Sequence, residues 1–145
     1  MLRATIITQE RKTHFERMNK REIKFRIWDV LAKNMITTEN KFAARHIWIS
    51  LDGSSHNMQN GAGGEEYILT QYTGQKDVDG VEIYEGDILE YDFVGKKFKS
   101  IVCWDGLGLF ARDNQGYNLL ARRFLYKKVE VVGNIFENPE LAQKL

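Results

Sequence analysis

Glu22-Ile23-Lys24-Phe25-Arg26-Ile27-Trp28 alternates without a break, with Ile23, Phe25 and Ile27 on one side and Glu22, Lys24 and Arg26 on the other. A period of two places alternate side chains on opposite faces of an extended chain, so the stretch predicts a half-buried strand. The same reading extends along the chain. Asn34 to Thr38 and Arg45 to Leu51 are rich in Ile, Trp and Thr and predict further strands. Beyond Glu66, strands are expected at Tyr67 to Thr73, Val81 to Tyr84, Leu89 to Phe93, Lys97 to Trp104, Leu109 to Arg112 and Val129 to Phe136. Asp79-Gly80, Asp105-Gly106 and Asp113 to Gly116 punctuate them as turns. Short, closely spaced strands with Gly and Asp at the joints predict a mainly β protein, a small curved sheet or β-barrel. One or two short helices complete the expectation. One is capped by Asn118 and runs through Leu119, Leu120 and Phe124; the other is C-terminal, with Asn138 as cap and Pro139 at its first position.

The flanks of this pattern set the domain organisation. Residues 1–20 predict an N-terminal extension, a mobile arm or a stretch upstream of a natural start at Met18. Between Thr8 and Arg21 the only large apolar residues are Phe15 and Met18. Residues 21–145 form one expected domain, interrupted at 52–64 by a glycine-rich stretch that reads as a flexible loop.

Composition excludes several classes. Of the 145 residues 43% are hydrophobic and 28% charged, too apolar for disorder. The single cysteine, Cys103, rules out an intramolecular disulfide and fits a reducing compartment, so the expected location is the cytoplasm of a bacterial host. The longest apolar run, Ile101 to Trp104, falls far short of the ~18 residues of a membrane helix, so no membrane partner is expected. Net charge is +1, yet it is unevenly distributed: residues 65–92 carry nine Asp/Glu against Lys76 alone, while residues 93–130 carry eight Lys/Arg against three acids. Such blocks suit solvated faces, or attraction within the fold or between subunits.

Asp77-Val78-Asp79-Gly80 opens like a calcium loop, but its glycine comes two positions early and no Glu follows at the required distance. It reads as a hairpin turn. His14, His46 and His56 are scattered, so neither metal nor cofactor is expected. Ser54-Ser55-His56 lies in the loop, where a catalytic base would not be rigidly held, and Cys103 between Val102 and Trp104 reads as a small strand hydrophobe. Gly61 to Gly64 lacks the Gly-Lys-Ser/Thr of a phosphate loop. Glu85 and Asp87 straddle Gly86; they read as exposed strand charges, with a carboxylate-dependent hydrolase as the weaker alternative. Two basic clusters suggest nucleic acid: Lys96, Lys97 and Lys99, and Arg122, Arg123, Lys127 and Lys128 interleaved with Phe124 and Tyr126. The neighbouring acidic block and a near-neutral balance weigh against that reading.

Several segments together resemble a known family. They are Arg21 to Asp29 with Trp28; Gln71-Tyr72-Thr73-Gly74 with Lys76, Asp77 and Gly80; Glu82-Ile83-Tyr84-Glu85-Gly86-Asp87-Ile88; and Val132-Gly133-Asn134-Ile135-Phe136-Glu137-Asn138-Pro139-Glu140-Leu141. In order and content they resemble the YopX family of phage and prophage proteins, over about residues 21–141. The resemblance implies a mainly β fold and a phage or prophage origin, and it supplies no catalytic residues. Trp28, Tyr72, Gly74, Gly80, Tyr84, Gly86, Asp87, Gly133, Asn134 and Asn138, together with Trp104, are read as structural. The functional expectation is a non-enzymatic binding or assembly module that contacts a host or phage protein or a further copy of itself. A nucleic-acid-binding barrel is the alternative.

Overall fold

The computed structural model describes residues 22–40, 45–50, 52–58, 61, 66–106, 108–114, 116–119, 128–143 and 145. The N-terminal extension, most of the glycine run and residues 120–127 therefore lie outside the described residues. The expected mainly β architecture is present, as a curled half-barrel with a short C-terminal helix.

The first strand, β1 (Phe25–Asp29), is central in a four-stranded antiparallel sheet with β2 (Asn34–Ile36), β5 (Tyr67–Lys76) and β6 (Glu82–Tyr84), ordered β2-β1-β5-β6. Ile27 opposes Ile36 on one side and Leu69 on the other, so the odd-numbered face of β1 buries Ile27 with Ile36 and Tyr67. A small hairpin of β3 (Ile47–Ile49) and β4 (Ser55–Asn57) packs beside it; the Ser55 hydroxyl donates to the Tyr67 carbonyl. The stretch 52–64 is thus not a continuous loop. Ser55 is buried and its strand pairs with β3, an arrangement that the Gly, Ser and Asn content of the segment concealed.

The second sheet is a five-stranded meander with one late addition. β7 (Asp87–Phe93), β8 (Lys96–Trp104), β9 (Leu109–Asp113) and β10 (Gly116–Leu119) follow one another, and β11 (Val129–Asn134) adds beside β7. Its inner face carries Leu89, Tyr91, Val102, Ala111 and Val129, which form the main core together with Ile83 of β6. Full burial of each of the larger aliphatic side chains stabilises by roughly 2–3 kcal/mol. Asn118 and Leu119 extend β10, pairing with Ala111 and Phe110 where a helix start was expected, and Leu120 and Phe124 of that expected helix lie outside the described residues.

One feature ties the sheets together, and another fixes the corner after the last strand. The turn after β5 is fastened by Asp77, whose Oδ1 accepts from the Asp79 and Val81 amides while its Oδ2 accepts from the Val131 amide of β11. Val78 donates to the Val129 carbonyl alongside. The expected turn at Asp79-Gly80 is therefore also a clasp on the last strand. At the chain's end, α1 (Pro139–Ala142) starts with proline as expected, but Asn138 makes no side-chain cap. Its Oδ1 instead accepts from the Asn134 amide, while Asn134 Oδ1 accepts from Phe136 and Glu137. Gly133 is required there, because a Cβ at this position would lie 2.5 Å from Asn138 Oδ1.

Candidate functional site

The alternation of β1 suggests that Lys24 and Arg26 face water. The structure turns that face toward the second sheet. Trp28 stacks on Phe136 with ring centroids 5.7 Å apart, and Arg26 enters a polar junction between the sheets. Its Nη2 donates to Asp87 Oδ1 at 2.5 Å and to the Glu85 carbonyl, its Nε donates to Thr70 Oγ1, and its guanidinium lies 4.7 Å from the Tyr84 ring centre. The second oxygen of Asp87 accepts from the Tyr84 amide. Glu85 turns away to accept from the Gln71 amide with Oε2.

Asp87 is therefore not an exposed strand charge; its side chain is 1% exposed. Burial raises its pKa, and the facing Arg26 charge and the Tyr84 amide oppose the rise. Burial and the bond to Glu82 push the Tyr84 phenol up to about 12, so it stays protonated and donates to that carboxylate. Gly86 (φ +82°) holds the turn, since a Cβ there would sit 3.0 Å from Phe136. Its amide donates to Val102 and its carbonyl accepts from Ile135. Arg26, Glu85 and Asp87 each make hydrogen bonds that join strands here, which gives the Glu-Gly-Asp segment a structural role.

The opposite face of β1 is of another kind. Ile23, Phe25 and Ile27 line a groove of about 290 Å³ with Ile36, Ile47 and Ile49. On the reverse face of the hairpin Trp48 is 63% exposed, and Met58 is also exposed. Sequence reading gave Ile47-Trp48-Ile49 only as a strand. The missed signal was three consecutive large apolar residues, which leave a strand with no polar face to show to water.

Of the basic candidates, Lys96, Lys97, Lys99 and Lys128 are among the described residues. Arg122, Arg123 and Lys127 lie outside the described residues. Lys97 and Lys99 share the outer face of β8, but the pleat sends Lys96 to the other face. Lys97 and Lys99 both reach Glu90, and Lys97, Lys128, Asp92 and Glu130 line the same recess of about 170 Å³. Three lysines thus stand among three carboxylates, a neutral patch that offers little net attraction to a phosphate chain.

The remaining candidates are similarly occupied. Ser54 Oγ donates to Asp52 Oδ1 at 2.7 Å and lies 3.2 Å from His56 Nε2. The carboxylate therefore faces the serine, where a catalytic triad would place it behind the histidine. Hydrogen bonds from Ser54 lower the Asp52 pKa. Burial raises the Cys103 thiol above its ordinary value, away from a reactive thiolate. Among the described residues no three histidine, cysteine or carboxylate side chains are grouped as a metal ion requires, and no helix is long and apolar enough to cross a membrane.

The model of the family described as YopX protein matches residues 24–143. The chain belongs to the YopX family. The YopX match runs from the residue before β1 to the one after α1, and so contains the inter-sheet junction, the groove apart from Ile23, and the hydrogen-bonded corner at Gly133-Asn134. A crystal structure of protein EF1440 from Enterococcus faecalis is similar to this YopX chain, with a TM-score of 0.59 and 24% sequence identity over 83% of this chain and 97% of that one. That likeness shows a common fold. No match was found among curated proteins.

Proposed function

We propose that this YopX-family protein is a phage or prophage accessory protein that works as a non-enzymatic binding module, contacting other proteins through the groove and the β3–β4 hairpin. One observation carries the reading. The isoleucine-lined groove, with half-exposed Ile49 in its wall, occupies one face of the β3–β4 hairpin, and Trp48 and Met58 stand exposed on the other, so the hairpin carries apolar side chains on both faces. Exposed large apolar side chains gathered on one small element mark interaction sites, and aromatic residues and methionine are enriched in them. The tethering of Asp87 by Arg26 and of Glu85 by the Gln71 amide supports a structural over a hydrolytic role for the acidic segment.

The test is affinity capture from infected or lysogenic cells, comparing the native chain with Trp48→Asp and Ile49→Asp. Both positions are exposed, so these variants should keep the native circular dichroism. Proteins captured by the native chain should be lost from the variants. An identical set of captured proteins would refute the reading.

A further inference from the structure

The β3–β4 ladder fixes which way the backbone of β3 points. Met58 donates to the His46 carbonyl and Ser50 donates to the Ser54 carbonyl, so in the observed register residues 46, 48 and 50 direct their backbone groups toward β4. The amides and carbonyls of Ile47 and Ile49 therefore point the other way. Among the described residues nothing pairs with that edge. Neither charge nor proline interrupts it, although natural edge strands generally carry such protection. Ile47 and Ile49 put their side chains into the groove while Trp48, on the reverse face, is left in water.

From this geometry we infer that β3 pairs antiparallel with β3 of a second copy of the chain. The occupant follows from the strand itself, since Ile47-Trp48-Ile49 reads the same in both directions about Trp48. A two-fold axis through Trp48 sets Ile47 opposite the partner's Ile49, and both residues present unused backbone groups on that side. Four inter-chain hydrogen bonds result, in a continuous sheet ordered β4-β3-β3-β4. Trp48 then faces its own copy in a non-hydrogen-bonded pair, with Cβ atoms ~5 Å apart, close enough for the two indoles to stack. On the other face the two grooves join along the paired isoleucines. The inference rests on the binding-module reading and specifies one partner for it.

Light scattering on the eluting native chain should give twice the chain mass. Ile49→Pro removes a donor that the monomer does not use, and should halve the measured mass without changing the circular dichroism. Trp48→Cys in a Cys103→Ser background should cross-link under mild oxidation, because directly opposed residues have the Cα separation a disulfide needs. His56→Cys in the same background should not, as its two copies would lie three strand spacings, ~14 Å, apart. A native monomer at every concentration, a dimer indifferent to Ile49→Pro, or equal cross-linking at positions 48 and 56 would overturn the inference. If Ile49→Pro fails to fold, the cysteine pair alone decides. A native monomer that still captures proteins through Trp48 and Ile49 would sink this inference while leaving the binding module standing.

Discussion

Replacing Arg26 by methionine tests whether the acidic segment serves structure or chemistry. The Arg26 side chain is 10% exposed and faces a carboxylate that is 1% exposed. The substitution keeps much of the apolar stem but strands Asp87 with a single partner, the Tyr84 amide. Breaking a buried ion pair from one side costs roughly 3–5 kcal/mol. Loss of the guanidinium over Tyr84 adds up to about 1–2 kcal/mol. For a chain of this size each kcal/mol shifts the midpoint by roughly 2–4 °C, so melting should fall by at least ~6 °C.

The penalty should also depend on pH, with a definite sign. Burial already raises the Asp87 pKa in the folded state, and removing Arg26 takes away the facing charge that opposes the rise. The folded variant then holds its proton to higher pH than the unfolded chain does. Stability falls as pH rises above the unfolded aspartate value of ~3.9 toward the folded one, by at most ~1.4 kcal/mol per unit. Urea melts at pH 5 and pH 7 should therefore show a smaller Arg26→Met penalty at pH 5, and adding Asp87→Asn should remove that dependence. A penalty below about 1 kcal/mol that is the same at both pH values would refute the account. An Asp87→Asn variant with native stability and a lost activity would point instead to catalysis.

Three further outcomes follow from the geometry. Gly86→Ala should cost about 2–4 kcal/mol in urea melts, from the left-handed backbone and the Phe136 contact together, whereas Gly80→Ala, with a similar φ but open space, should cost only the backbone part, about 1–2 kcal/mol. Equal losses would show that Phe136 yields freely. Val94 occupies the tip between β7 and β8 with φ +53° and 85% exposure, so Val94→Asn should raise stability by about 0.5–1 kcal/mol, since asparagine tolerates that region and β-branched residues do not. A loss on this substitution would mean that the valine has a contact of its own. Asp77→Ala removes the acceptor of three backbone amides and should cost about 2–4 kcal/mol, with faster hydrogen exchange at Val131. Unchanged exchange there would deny the clasp.

Much of the fold could be read from the sequence because period-two patterning is local. The alternation of Leu89, Tyr91 and Phe93 against Glu90 and Asp92 matches the β7–β8 register, and Phe98, Val102 and Trp104 share a face as expected. Local patterning cannot show which face of a strand meets another sheet. Hence Lys24 and Arg26, polar by sequence, lie on the side facing β6 and β7, and Asp87 is buried because Arg26, 61 residues away, comes to meet it. The separation of Lys96 from Lys97 and Lys99 was legible, since neighbouring strand residues point to opposite faces. The helix start expected at Asn118 failed because a capping residue carries no information about a nearby ladder. Nothing in the sequence near Ser55 announced a strand; the bond from its hydroxyl to Tyr67, twelve residues on, is a tertiary event.

The clasp of Asp77 on Val131 spans 54 residues, and Val129, the first residue of the last strand, completes the central core. During synthesis the core around Leu89 and Val102 therefore stays incomplete until β11 arrives to add beside β7. Folding that depends on such distant pairing is slow, and a message truncated before codon 129 would yield a sticky product that cellular proteases remove.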